Sequence, residues 1–246
     1  MPTSFKSKKD MYSYQDIASM IDHSLLNPIF TDDDIITGCA LADEYQVATV
    51  CVRPSDVKLA DSLLKNSPVK VTTVIGFPHG TTTTLAKLAE SQEAIDNGCE
   101  ELDVVLNIGK MKSGKYEYVK NELQAIISVA HSRKVKVKVI FENTYLTKEE
   151  IKTATLICNE VKPDWIKTST GYAGGGATDE DLIIMRSNAD DHIQIKAAGG
   201  VRTLERAIEV KKLGCTRFGA TATKVILDAL KEDKPFVPSS ESNNNY

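Results

Sequence analysis

Three lysines stand in short apolar stretches where a solvated cation is out of place. Lys138 lies within 135–142, Lys167 within 164–169 and Lys196 within 193–198, while Asp103 occupies a comparable stretch at 101–107. Side chains alternate between the two faces of a strand. In 101–107, Leu102, Val104 and Leu106 share one face, which leaves Glu101, Asp103, Val105 and Asn107 on the other. In 135–142, Val135, Val137, Val139 and Phe141 oppose Lys136, Lys138, Ile140 and Glu142. Lys167 shares its face with Trp165 and Ser169, and Lys196 lies opposite Ile195, just before Gly199 and Gly200. Unpaired ammonium groups are costly to bury, and neighbouring strands run about 4.8 Å apart. Lysines on adjacent strands therefore repel, which favours a neutral, nucleophilic amine on one of them. A carboxylate among them can move protons, or can form a structural salt bridge with one of the lysines.

Glycine-rich turns follow the apolar stretches at 164–169, 193–198 and 215–220: Thr170-Gly171-Tyr172-Ala173-Gly174-Gly175-Gly176-Ala177-Thr178, Gly199-Gly200-Val201-Arg202-Thr203 and Gly219-Ala220-Thr221. Exposed backbone N–H groups at such turns cradle phosphate, although any one glycine also serves simply to permit a tight turn. Arg202 offers either a charge-assisted contact to that anion or a solvated first-turn position on the next helix.

The elements that must hold these groups alternate. Strand-like segments fall at 47–53, 69–76, 101–107, 135–142, 164–169, 193–198 and 215–220, with a less regular one at 19–26. Helix-like segments fall between them at 32–45, 55–65, 84–97, 116–132, 147–161, 179–187 and 203–213, opened by Ser, Thr or Asp caps. Gly98 and Gly214 stand where two of these helices should stop. Strict alternation of β and α implies a parallel sheet, and eight units imply a closed barrel. An open doubly wound sheet would carry a G-x-G-x-x-G turn after its first strand, and none occurs there. The expected fold is a single-domain (β/α)8 TIM barrel over residues 12–232, between a mobile N-terminal segment, 1–11, and a flexible C-terminal tail, 233–246.

Composition narrows the partners. The 246 residues carry 30 Lys plus Arg against 34 Asp plus Glu, so no basic field draws nucleic acid or an anionic membrane. No apolar run reaches the ~18 residues of a membrane span, and the N-terminus lacks an export signal. Five cysteines, scattered and never in a C-x-x-C pair, point to reduced thiols in the cytoplasm. The four histidines lack metal-ligand spacing, so no metal is expected.

These residues resemble the deoxyribose-phosphate aldolase family. The resemblance rests on Leu102-Asp103-Val104-Val105-Leu106-Asn107-Ile108-Gly109, Ile166-Lys167-Thr168-Ser169-Thr170-Gly171, Lys196-Ala197-Ala198-Gly199-Gly200-Val201-Arg202-Thr203 and Arg217-Phe218-Gly219-Ala220, in the family's order across roughly residues 14–230. It implies a class I aldolase without metal or organic cofactor that reversibly cleaves 2-deoxy-D-ribose 5-phosphate to D-glyceraldehyde 3-phosphate and acetaldehyde, in deoxyribose phosphate catabolism. It further implies that Lys167 forms the Schiff base, that Lys196 depresses its pKa and shares in proton transfer, that Asp103 is the proton donor and acceptor, and that Lys138 supports Asp103. Asp22, Thr170, Gly171, Gly199, Gly200, Gly219, Ala220 and Thr221 are the corresponding substrate and phosphate-binding positions, Asp22 having a core ion pair as its plainer role. Some relatives carry Lys where this chain has Tyr172, and serines where it has Thr221 and Ala222, so phosphate binding is expected to rest more on backbone.

Other fates remain open to the same residues: a different imine-forming sugar-phosphate aldolase, or a barrel that senses sugar phosphates without breaking a bond. A sensor has no use for Asp103, Lys167 and Lys196 together. A homodimer is the expected assembly. Tyr246 would enter a proton network if the tail folded back over the barrel, and is otherwise an untethered terminus.

Overall fold

The computed structural model describes residues 12–231. Eight parallel strands close into one ring in chain order: β1 (Ile21–Leu25), β2 (Thr49–Val52), β3 (Lys70–Ile75), β4 (Glu101–Val105), β5 (Lys136–Ile140), β6 (Trp165–Lys167), β7 (Gln194–Ala197) and β8 (Cys215–Ala220). Pairing of Ile21 with Phe218 and Asp22 with Gly219 joins β8 back to β1 and leaves no open edge. The expected barrel is therefore the fold. The segments 1–11 and 233–246, with Tyr246, lie outside the described residues.

Helices follow the strands: α1 (Tyr14–Ala18), α2 (Asp32–Glu44), α3 (Val57–Leu64), α4 (Thr84–Asp96), α5 (Ile108–Lys112), α6 (Tyr116–Ser132), α7 (Lys148–Val161), α8 (Asp179–Asn188), α9 (Leu204–Lys212) and α10 (Thr223–Lys231). The capping signals act as expected: Thr31, Thr83, Thr147, Thr178 and Thr203 each accept a hydrogen bond from the backbone of the first turn. Gly98 and Gly214 follow α4 and α9 with φ of 103° and 91°, the left-handed stop that a side chain resists. Three helices lie beyond those expected. α1 precedes the ring, α5 is a single turn after β4, and α10 completes the eighth unit by burying Ile226, Leu227 and Leu230. Among the described residues, no helix is long and apolar enough to cross a membrane.

Alternation sorts the side chains as the sequence implies. Leu102, Val104, Val137, Val139, Ile166 and Ile195 are fully buried in the core between sheet and helices. Each such side chain contributes roughly 1.5–3 kcal/mol on burial, and together they fix which face of every strand turns inward. Register then aligns the opposite faces: Asp103 pairs with Lys138, Ile140 with Lys167, Lys167 with Lys196, and Lys196 with Arg217. A slip of one residue would place these charges under the helices.

His23 alternates outward from β1 and is buried against α10, its Nδ1 lying 2.8 Å from the Thr223 hydroxyl. Burial pushes its imidazole down to about 4 from 6.5. The unfolded chain takes up this proton near pH 6.5 and the folded chain resists until about 4. The associated stability is thus complete above about 6.5 and is lost as pH falls toward 4, by at most about 3 kcal/mol. His23→Gln is expected to flatten this part of the acid slope, read as urea midpoints between pH 7 and 4.5. An unchanged slope would show that the acid sensitivity lies elsewhere.

Candidate active site

Burial of charge is concentrated inside the ring. The carboxylate of Asp103 accepts from three ammonium groups: Lys167 Nζ at 2.7 Å and Lys196 Nζ at 2.8 Å on Oδ2, and Lys138 Nζ at 2.9 Å on Oδ1. β4, β5, β6 and β7 each supply one member: Asp103 is in register with Lys138, and Lys167, two residues beyond the Trp165 that pairs with Lys138, is in register with Lys196. Burial alone would raise the Asp103 carboxyl, but Lys138, Lys167 and Lys196 hold it well below the usual carboxylate range.

The three lysines differ in how well they are matched. Lys138 meets Asp103, Glu101 and, at 3.6 Å, Asp22, and these carboxylates overcome burial and keep its ammonium above the ordinary range. Lys196 meets Asp103 and Asp22, which likewise outweigh burial and raise it. Lys167 meets Asp103 alone. Burial is the largest influence on Lys167 and lowers its pKa; Asp103 opposes the shift and the Lys196 charge adds to it. Repulsion between the lysines is thus present, as their placement on adjacent strands implies, yet removal from water is the larger cause.

Below this level lies a second layer. Arg217 on β8 donates to Asp22 Oδ1 at 2.6 Å and to Glu101 Oε1 at 3.2 Å. Its guanidinium also lies 5.1 Å from the centre of the Trp165 ring, which Lys138 approaches at 5.6 Å. Asp22 is fully buried and is held below the usual carboxylate range by Lys196, Lys138 and Arg217 against the penalty of burial. Glu101 carried an inward assignment from alternation but no role, and Arg217 entered only as part of a motif. No local pattern announces a partnership between residues on β1, β4 and β8.

A cavity of about 910 Å³ opens above the array. Asp22, Lys167 and Lys196 reach its floor, and Thr170, Gly171, Gly199, Gly200, Arg202, Gly219, Ala220 and Thr221 line its walls. Asp103 and Lys138 sit beneath the floor. Cys51 of β2 is also on the lining, and burial pushes its thiol up to about 11, so it is a neutral neighbour to Lys167 near neutrality.

The wall is built from backbone held in place. Ala177 N–H donates to the Gly199 carbonyl at 3.2 Å. Gly199 has φ of 80°, and a Cβ there would lie 2.7 Å from the Gly176 Cα, so the turns after β6 and β7 touch main chain to main chain. Arg206 clamps the same region by pairing with Asp179 at 2.6 Å and donating to the Ala177 carbonyl at 3.1 Å. The sequence reading did not single out Glu142 for a role. Strand β5 ends at Ile140, and Glu142 adopts φ 57°, from which its buried carboxyl accepts from Thr170 N–H at 3.2 Å and from the Thr170 hydroxyl. Thr170 Oγ1 accepts in turn from Tyr172 N–H at 3.1 Å. Tyr172 spans the cavity mouth, its hydroxyl donating to the Leu26 carbonyl at 2.9 Å and its ring edge-on to Phe77 at 5.3 Å.

The arrangement combines a buried amine with a lowered pKa, two ammonium groups kept charged, a carboxylate in contact with all three, and a backbone-lined cavity. The chain as a whole is similar to known proteins in sequence and shape. The model of the DeoC/LacD family aldolases matches residues 17–223. A deoxyribose-phosphate aldolase of Rhodopirellula baltica is 48% identical over 216 residues, which cover 88% of this chain and 90% of that one. A solved structure from Coccidioides immitis, assigned as a deoxyribose-phosphate aldolase, superposes with a TM-score of 0.86 at 34% identity, covering 93% of this chain and 89% of the other. The deoxyribose phosphate aldolase of Aeropyrum pernix, described as tetrameric, superposes with a TM-score of 0.83 at 29% identity over 89% and 92% of the two chains. The chain belongs to the family of DeoC/LacD aldolases.

Proposed function

We propose that the chain reversibly cleaves 2-deoxy-D-ribose 5-phosphate to D-glyceraldehyde 3-phosphate and acetaldehyde through a Schiff base on Lys167. The observation that carries this reading is the Lys167 amine, buried at the cavity floor with a lowered pKa and with one carboxylate partner where its neighbours have more. The names of its relatives support the substrate.

In this reading Lys167 Nζ attacks the C1 aldehyde carbon of the open-chain sugar. Loss of water from the carbinolamine leaves a protonated imine. The C3 hydroxyl then gives up its proton, the C2–C3 bond breaks, and its electron pair passes into the enamine instead of an unstabilised carbanion. Protonation at C2 and hydrolysis of the imine release acetaldehyde and free Lys167. Lys196, kept charged, is suited to donate protons, and Asp103, in contact with both lysines, is suited to pass them, directly or through water. Lys138 holds the second oxygen of Asp103 and so fixes its orientation.

The phosphate end is assigned to the walls formed by Thr170, Gly171, Gly199, Gly200, Gly219, Ala220 and Thr221, with the amino end of α9 beneath them. Asp22 belongs to the floor, where it balances Lys196 and Arg217. Self-association, as a homodimer, is part of this reading; the tetrameric Aeropyrum pernix relative supports assembly of copies but not that number. So is a cytoplasmic location, supported by five buried cysteines that carry no disulfide.

Lys167→Arg keeps the charge but cannot form an imine. It is expected to abolish cleavage of 2-deoxyribose 5-phosphate, and wild type treated with acetaldehyde and a hydride reductant is expected to carry an ethyl group on Lys167 by peptide mapping. A wild type without that adduct would remove the mechanism. Gly199→Ala is expected to raise KM for the phosphorylated sugar by about tenfold or more, equivalent to ~1.4 kcal/mol, while acetaldehyde still labels Lys167. An unchanged KM would place the phosphate elsewhere.

A further inference from the structure

The buried array holds more positive groups than negative ones. Every ion pair that Lys138, Lys167, Lys196 and Arg217 make is with Asp22, Glu101 or Asp103, so among the described residues four cations share three carboxylates. A surplus charge in a water-poor interior is strongly disfavoured, and the cheapest remedy is for one member to lose its proton. The member with the fewest carboxylate contacts is Lys167, with one; Lys196 and Arg217 have two and Lys138 has three.

We propose that Arg217 and Glu101, neither of which lines the cavity, are positioning residues that set the charge on Lys167 by fixing the surplus the array must shed. This rests on the reading that Lys167 reacts as a neutral amine. Arg217 adds the fourth cation and occupies Asp22 Oδ1, an oxygen that would otherwise be free to compensate Lys196. Glu101 binds Lys138 and Arg217 and limits the surplus to one.

The other ionisable groups around Lys167 make no ion pair with the four cations. Cys51 faces it from β2 as a neutral thiol, its pKa pushed up to about 11. Glu142, beyond the end of β5, is bound to Thr170; burial raises its carboxyl, and the Lys167 charge partly opposes that rise, an interaction that Arg217 and Glu101 do not touch. β3 contributes Thr72 and Thr73, which carry no charge; Thr72 Oγ1 lies 3.3 Å from Glu101 Oε2.

Arg217 lies two strands from Lys167, roughly 10 Å away at about 4.8 Å per strand. A unit charge at that distance moves an amine by about one pH unit at the effective dielectric of a protein interior. The test follows the rate at which acetaldehyde and cyanoborohydride label Lys167, read by peptide mapping across pH, in full-length protein. Arg217→Met removes a cation, so Lys167 should hold its proton longer and the midpoint should rise by about one unit. Glu101→Gln removes an anion and should lower the midpoint by a similar amount. Arg217→Lys should stay at the wild-type midpoint, and the Arg217→Met/Glu101→Gln double variant should return to it. If Arg217→Met does not fold, the sign of the Glu101→Gln shift decides alone. Midpoints that coincide with wild type, or shifts of the same sign in both single variants, would overturn the proposal. Failure of wild type itself to label at Lys167 would overturn the imine reading instead.

Discussion

One carboxylate contacting three ammonium groups is the constraint on which the interior of this barrel depends. Each ion of the array has left water, at an effective penalty of several kcal/mol. Compensation comes chiefly from opposite charges at hydrogen-bond distance, with the Trp165 ring beside Arg217 and Lys138 adding to it, and these contacts exist only when β4 through β8 keep their register. The helices enforce that register from outside, through Leu102, Val104, Val137, Val139, Ile166 and Ile195. An ordinary apolar core on one face of the sheet thus holds an unusual polar one on the other. The same geometry leaves Lys167 as the least compensated member, with one carboxylate partner and a lowered pKa that needs no strain in the lysine itself.

Alternation in the sequence was enough to place Asp103, Lys138, Lys167 and Lys196 on a common inner face, because β4 and β5 show period-two patterning around fully buried Leu, Val and Phe side chains. The cause of the lowered Lys167 pKa was only half legible. Adjacent strands implied repulsion, whereas the depth of burial depends on a closed ring that no local window contains. Arg217 and Glu101 are 116 residues apart and meet across the barrel, so neither side chain signals the other in sequence. Strand ends were also misplaced: the 101–107 pattern continues through Leu106, but Asn107 caps α5 and its side chain accepts from Lys110 N–H. The 135–142 pattern includes Glu142, yet the chain turns left-handed there and the carboxyl leaves the barrel interior to hold Thr170. The helix Thr223–Lys231 buries Ile226, Leu227 and Leu230 on one apolar face, yet follows a turn at Thr221-Ala222 that carries no Gly or Pro boundary signal.

The mouth of the cavity is organised differently from its floor. Below, cations share carboxylates in a connected network; above, main chain determines the shape, braced by Glu142 and by the Arg206–Asp179 pair. Glu142, Thr170 and Tyr172 form a relay of hydrogen bonds that carries the turn after β6 across the opening to Leu26, beyond β1. The floor can therefore remain dry and charged while the rim offers donors to an anion without placing a buried lysine beside it.

The contact of Gly199 with Gly176 has an evolutionary corollary. Where main chain abuts main chain there is no side chain to vary, so this wall of the cavity is closed to gradual tuning at those two positions. Variation in the shape of this wall is left to Arg202 and Thr221, which line the same cavity and are not held in that main-chain contact.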